Sequence, residues 1–319
     1  MRRRGTARQP GEMITATSLS KHYGPLTAVD DVSFTCRPGT ITGFLGPNGA
    51  GKTTTLRMIT GLARPDAGHA TVAGRPFTEL PSPARVAGTL LDASAMHAGR
   101  TGRAILRIAA AMTGMPAARV EEVLAAVGMT GDARRRVGTY SLGMRQRLGL
   151  AQALIGHPSV LILDEPATGL DPQGIAWIRS FLRNFADRGG TVLLSSHLLA
   201  EVQATADHLI VISAGKIVAA GAMADLLAAS GLIVRAADPA ALTRLLTAGS
   251  IPFTPGPDGA LRADTRTGAS PDRIAALAMA AGLPLTELRP AGDTGLEELF
   301  LSLTDPGPDA APPNPKETR

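Results

Sequence analysis

Aromatic residues are scarce in this chain. Seven Phe, two Tyr and one Trp make up 3% of 319 residues, too few to build stacking platforms for single-stranded nucleic acid. The core must come from Ala, Val, Leu and Ile within a hydrophobic content of 44%, which suits helices packed on a β-sheet. Cysteine is nearly absent. The single Cys36 excludes an intrachain disulfide and fits a reducing compartment. No uninterrupted apolar run approaches the ~18 residues needed to span a bilayer, so work at a membrane would require another chain to cross it. A strong excess of one charge is also missing. The net charge is +5, but the first twelve residues carry four Arg and one Glu, leaving 28 basic and 26 acidic residues in the body. Nucleic acid is therefore not an expected partner, and the cluster Arg134 to Arg136 reads as a solvated turn. The Arg-rich start has no apolar segment behind it and does not read as a signal peptide; Met13 is an alternative start.

What is present is punctuation. The length favours two domains. From Met13 the pattern gives short strands, ITATSL, AVDDVSFT and TITGFL, the last running into a glycine-rich turn. A helix of about ten residues follows, with Leu56, Ile59 and Thr60 at helical spacing and Gly61 as its stop. ATVAG and AGTLL are further strand candidates. Three helical segments come next, AILRIAAAM, ARVEEVLAAVG and LGMRQRLGLAQALIG. Then the apolar strands VLILD and TVLLS flank a helix from Pro172 to about Arg188, and HLIVIS and KIVAA complete the region. Apolar strands alternating with helices indicate a parallel sheet buried on both faces. Beyond about residue 221 the order reads βαββαβ, a small split α/β domain, with LEELFLSLT as a final amphipathic helix. The expected fold class is α/β with a mixed sheet core, a helical subdomain and a small C-terminal α/β accessory domain. The expected division is a flexible basic tail over 1–12, a nucleotide domain over 13–221 with its helical part at about 93–158, an accessory domain over 222–304, and a disordered Pro-rich tail over 305–319.

The turn after the third strand, GPNGAGKT, spells G-x-x-x-x-G-K-[ST] over Gly46, Pro47, Asn48, Gly49, Ala50, Gly51, Lys52 and Thr53, with Thr54 behind it. Glycines let backbone N–H groups curl around phosphates, and the helix start adds favourable potential. Lys52 suits the β- and γ-phosphates, and Thr53 suits Mg²⁺. An ordinary glycine turn is the alternative, weakened by the Lys and Thr that follow. VLILDEP then places Asp164 and Glu165 at the end of an apolar strand, 112 residues after Lys52. Asp164 suits a metal carboxylate, and Glu165 a general base or water-orienting group. A strand-end acidic pair capping a helix is the plainer alternative.

In this order the motifs resemble the ATP-binding subunit of an ABC transporter, over roughly residues 13–220. The resemblance rests also on Tyr23 in KHYG, on YSLGMRQR lying 23 residues before Asp164, on TGLDP with Asp171, and on His197 in SSHLLAE, 32 residues beyond Glu165. It implies that Tyr23 stacks on adenine and that His197 contacts the γ-phosphate. It also implies that Asp171 communicates across a dimer, and that Ser141 and Gly143 contact ATP held by a partner protomer. Each has a bland counterpart: a turn tyrosine, a solvent-facing histidine, a capped surface helix. The chain departs from the family's LSGGQ signature at Leu142 and Met144, keeping Ser141 as N-cap and Gly143 for close approach. It departs again at Asp92, where the family has a glutamine touching Mg²⁺ and the attacking water; bacitracin- and lantibiotic-type exporters resemble it here. Asp92 is thus a metal candidate with Thr53 and Asp164, and it raises the expectation of slow or metal-sensitive turnover.

The resemblance implies ATP and Mg²⁺ as ligands, a dimer of ATP-binding subunits, expected to be a homodimer, and a separate membrane-spanning permease. It places the chain peripherally on the cytoplasmic face of the cell membrane. LEELFLSLT resembles the tails of daunorubicin-resistance-type exporter ATPases and alone points to export of a drug, antibiotic or lipid-like compound. Two other readings stay open: a soluble ABC ATPase of translation or DNA repair, disfavoured by one cassette, no long heptad run and one cysteine, and a cassette that binds ATP but hydrolyses it weakly.

Overall fold

The computed structural model describes residues 13–229, 231–256, 259–264 and 269–290. The expected basic tail, the LEELFLSLT helix and the Pro-rich tail lie outside the described residues. The chain divides into two compact units between Ala220 and Gly221.

In the first unit β1 (Ile14–Tyr23), β2 (Leu26–Cys36) and β4 (Ala67–Val72) form an antiparallel sheet in the order β2-β1-β4. The central sheet has six strands. Its order is β5 (Ala87–Leu90), β6 (Val160–Leu163), β7 (Thr191–Ser196), β3 (Ile41–Leu45), β8 (His208–Ser213) and β9 (Lys216–Ala222). The pairings β5–β6, β6–β7, β7–β3 and β3–β8 are all parallel. Every residue of β3, β6 and β7 is buried. That is why VLIL and TVLLSS read as unbroken apolar runs: a parallel sheet covered on both faces has no solvent side for alternation to serve. The parallel strands end together, so the turns leaving β3, β6 and β7 open on one edge of the sheet, where open α/β sheets bind ligands.

Helix α1 (Lys52–Ile59) follows β3, and the short α2 (Pro83–Val86) precedes β5. Three helices, α3 (Gly102–Met112), α4 (Ala118–Ala126) and α5 (Leu142–Leu154), are inserted before β6, and each packs on the other two. Thr101 caps α3, its hydroxyl accepting from Ala104 N at 3.2 Å, an arrangement worth about 1 kcal/mol. Helix α5 packs also on β5 and so joins the insert to the sheet. The turn leading into α5 is fixed by Tyr140, a buried ring whose hydroxyl donates to Asp132 O at 2.7 Å. Arg135 pairs with Asp132 at 2.6 Å and donates to Thr139 O at 3.2 Å, so the basic cluster is structural at this position. After β6 come α6 (Pro172–Asp187), leading to β7, and α7 (Leu199–Gln203), leading to β8.

The second unit contains α8 (Met223–Ala229), β10 (Leu232–Ala236), α9 (Pro239–Ala248), β11 (Phe253–Pro255), β12 (Leu261–Ala263), α10 (Pro271–Ala280) and β13 (Leu285–Pro290). Its antiparallel sheet runs β11-β12-β10-β13. Leu232, Val234 and Ala236 alternate onto the face that packs with Leu242, Leu246 and Ile274 of the two helices, the period-two pattern of a one-sided sheet. Asp238 and Ser270 cap α9 and α10.

Candidate functional site

The turn from β3 to α1 is built around two glycines. A Cβ at Gly46 would lie 2.4 Å from Ile212 O, and one at Gly51 would lie 2.4 Å from Ala28 O. Gly51 also has φ +107°, a conformation open essentially to glycine alone. The resulting loop leaves the backbone N–H groups of Gly49, Gly51, Lys52 and Thr53 without a hydrogen-bond acceptor among the described residues. Free donors at a helix start form a ready cradle for anionic oxygens.

Five predicted side chains meet beside this loop. Lys52 is buried; its Nζ donates to Gly46 O at 2.7 Å and Pro47 O at 3.2 Å and lies 3.4 Å from Glu165 Oε1. Thr53 Oγ1 donates to Asp164 Oδ2 at 2.7 Å, and the other Asp164 oxygen accepts from Ser195 Oγ. Asp164 N donates to Leu90 O at 2.7 Å, which ties the end of β6 to β5. Glu165 adopts φ +48°, rare for a residue with a long side chain. It is held there from both ends: its N–H donates to Ser195 Oγ at 3.0 Å, and Oε2 accepts from Thr168 Oγ1 at 3.0 Å and lies 2.8 Å from His197 Nδ1. Burial pushes the Glu165 carboxyl up. The hydrogen bonds from His197 and Thr168 and the Lys52 charge outweigh it and hold the group below the usual carboxylate range. An ionised carboxylate only accepts, so His197 Nδ1 carries a proton toward it and Nε2 is left for another partner.

The other predicted residues lie apart from this cluster. Ser141 is exposed and caps α5, accepting from Met144 N at 3.2 Å. Asp171 caps α6, accepting from Gly174 N at 2.8 Å. A Cβ on Gly143 would lie 3.1 Å from Leu170, so the start of α5 and the TGLD turn touch each other. None of these three residues is hydrogen-bonded to Lys52, Thr53, Asp164, Glu165 or His197. Tyr23 closes β1 with its ring 49% exposed and Lys21 Nζ 5.5 Å from the ring centre. Asp66 steadies that strand end, accepting from Lys21 Nζ at 2.8 Å and His22 N at 2.7 Å; these bonds, Lys21 first, lower its carboxyl to about 2.

Asp92, two residues past β5, turns its carboxylate onto Ser94, accepting from Ser94 N at 2.7 Å and Oγ at 2.6 Å. Those bonds hold it below the usual carboxylate range, and no hydrogen bond joins it to Thr53 or Asp164. Asp92→Gln is therefore expected to change steady-state ATP turnover by less than about threefold and to leave its Mg²⁺ dependence in place. A tenfold change in either quantity would place Asp92 on the metal instead.

Three contributors escape a reading of motifs: Ser195, which bridges Asp164 and Glu165; Thr168; and Gln146, whose Nε2 donates to Glu165 O. The signal for Ser195 was present. A serine inside an otherwise apolar buried strand needs a polar partner, and the strand beside β7 ends in Asp164.

A glycine cradle between a parallel strand and a helix, backed by Asp164 and Glu165 at the end of a neighbouring strand, defines a P-loop nucleoside triphosphatase. The chain belongs to the ABC transporter family as an ATP-binding subunit, and it binds and hydrolyses ATP to drive transport. A family model described as ABC transporter matches residues 29–168, and one described as a domain of unknown function (DUF8746) matches residues 230–294. The chain is 40% identical over 208 residues to the bacitracin transport ATP-binding protein BcrA of Bacillus licheniformis, covering 64% of this chain and 68% of that protein. It is 39% identical over 223 residues to the daunorubicin resistance ATP-binding protein DrrA3 of Streptomyces coeruleorubidus, covering 68% and 71%. Among solved structures it is similar to the ATP-binding subunit of an ABC transporter, with a TM-score of 0.61, 26% identity, and coverage of 67% of this chain and 91% of that one. Among the described residues no helix is long and apolar enough to cross a membrane.

Proposed function

We propose that this chain is the ATPase subunit of an exporter, acting as a dimer on the cytoplasmic face of the membrane beneath a separate permease that moves a drug, antibiotic or lipid-like compound. The observation that carries the catalytic reading is the cluster of Glu165 with His197 at 2.8 Å and Lys52 at 3.4 Å. The loop Gly46 to Thr54 wraps the phosphates with its free N–H groups, and Lys52 supplies the charge at the β- and γ-phosphates. Glu165 orients the attacking water and accepts its proton, while His197, oriented by Glu165 through Nδ1, presents Nε2 to the γ-phosphate. Tyr23 offers its exposed ring to the adenine. The donor set beside the loop fits Mg²⁺: a Thr53 hydroxyl and one Asp164 carboxylate, the sparse protein contribution that this cation takes, would hold it. The cation would supply positive charge against that developing on the phosphates.

The dimer is supported by the separation of the two groups of residues. Ser141 and Asp171 cap their own helices and make no hydrogen bond to the cluster of their own chain, which favours a role for them and Gly143 at a site on another copy, with each ATP between two protomers. Export is supported by two relatives named for bacitracin transport and daunorubicin resistance. The partner is tested by isolating the tagged full-length chain from membranes of its native host. A polytopic membrane protein is expected to come with it, in a complex whose ATPase rises with an exported compound. Recovery of ribosomal or DNA-repair proteins alone would sink the transport reading.

A further inference from the structure

Helix α5 carries Ser141 at its start and reaches the cluster around Glu165 one turn later. Gln146, buried to 7% exposure, donates from Nε2 to the backbone carbonyl of Glu165 at 3.4 Å. That carbonyl can only accept, so the amide must face it with its nitrogen, and Gln146 Oε1 is left buried without a partner among the described residues. The same carbonyl also accepts from Thr168 N at 3.2 Å. A long hydrogen bond paired with an orphaned acceptor costs stability rather than adding it, so packing does not explain a glutamine here.

Three further contacts join α5 to the segment 165–177. Leu142 lies flush on the backbone of Gly169, where φ is +74° and a Cβ would come within 2.2 Å of Leu142 Cδ2. Gly143 packs against Leu170. One turn along, the Arg147 guanidinium lies 4.1 Å from the ring centre of Trp177 on α6 while donating to Val127 O at 3.1 Å. The Ser141 end of α5 and the peptide that holds Glu165 at its unusual φ are thus joined by a continuous set of contacts.

We infer that Gln146 is a positioning residue that couples the start of α5 to Glu165 of the same chain. ATP contacted by Ser141 in one site thereby sets the aim of the carboxylate in the other. The inference rests on the proposed role of Glu165 and goes beyond it by naming the link between the two ATP sites.

The test compares full-length Gln146→Met and Gln146→Glu with the parent, with Glu165→Gln alongside. Met keeps the shape and removes both polar atoms. It is expected to lower kcat about tenfold, leave KM for ATP within about twofold, reduce the Hill coefficient toward one, and leave the unfolding temperature unchanged or raised. Glu keeps the shape and the acceptor but loses the donor. Its rate relative to the parent is expected to recover from about pH 8 to about pH 6 as burial lets the carboxyl take up a proton and donate. A kcat and Hill coefficient at parental values in Gln146→Met, or a loss of kcat explained by a matching fall in unfolding temperature, overturns the inference. If Glu165→Gln itself turns over at the parental rate, the role of Glu165 fails first, and the link fails with it.

Discussion

Glu165→Gln is expected to lower ATP turnover by roughly 100- to 10,000-fold while leaving ATP binding intact, the range that removal of a positioned base or water-orienting group spans. Glutamine has the shape of glutamate, so the contacts of its side chain with Thr168 and His197 can persist through the amide oxygen, and the backbone bond to Ser195 is untouched. What disappears is the charge. Lys52 then loses a carboxylate 3.4 Å away, and its ammonium is freer to engage phosphate. The variant should accordingly hold ATP longer and accumulate as an ATP-dependent dimer. Size-exclusion chromatography with and without Mg²⁺–ATP reads the dimer, and single-turnover hydrolysis reads the rate. Turnover within threefold of the parent would remove Glu165 from the chemistry. A dead enzyme that stays monomeric with ATP would keep the catalytic role and discard the shared-site dimer.

The sequence carried those parts of this site that depend on local chemistry. GPNGAGKT is legible because its key letters answer local needs: Gly46 and Gly51 each admit no Cβ, and Lys52 and Thr53 open the helix that follows. VLILDE is legible because a parallel strand buried on both faces leaves a long apolar run that an acidic pair must terminate. The fold class is met by the same logic, through alternation of buried strands and helices. The less legible parts depend on contacts across the chain. ITATSL marks only the first half of β1, which continues to Tyr23. Register shifts between Ala16 and His22 break the period-two pattern there, and the polar end is held by Asp66, more than forty residues away. The five residues of α7 carry no side-chain cap and so leave no boundary signal. The direction of the Asp92 carboxylate was equally hidden. A carboxylate at the end of a strand reads the same whatever it turns toward, and here it accepts from a serine two residues on. The grip of Leu142 on Gly169 has the same character, since neither residue is unusual alone and only packing brings them together.

Gly51→Ala is expected to be the most damaging small substitution in the loop, and comparison with Gly49→Ala isolates the reason. Both glycines have positive φ, +107° and +81°. A methyl at Gly49 would meet nothing within 4 Å, whereas one at Gly51 would lie 2.4 Å from the backbone oxygen of Ala28 and 3.3 Å from Val29. Gly49→Ala therefore carries conformational strain alone, about 1–2 kcal/mol. Gly51→Ala adds a collision with backbone in β2 that side-chain rotation does not relieve, for a total of about 3 kcal/mol or more. In a unit of this size these losses correspond to a fall in unfolding temperature of about 6–12 °C for Gly51→Ala and about 2–8 °C for Gly49→Ala. The cradle suffers as well. Moving Gly51 shifts the N–H groups of Lys52 and Thr53 and breaks the aim of the Thr53 hydroxyl at Asp164, set at 2.7 Å, so ATP affinity should drop at least about tenfold. Thermal unfolding and nucleotide titration of the two variants read both effects. Equal losses in both would mean that strain alone governs the loop, and that the fit of Gly51 against Ala28 contributes nothing to holding the phosphate site in shape.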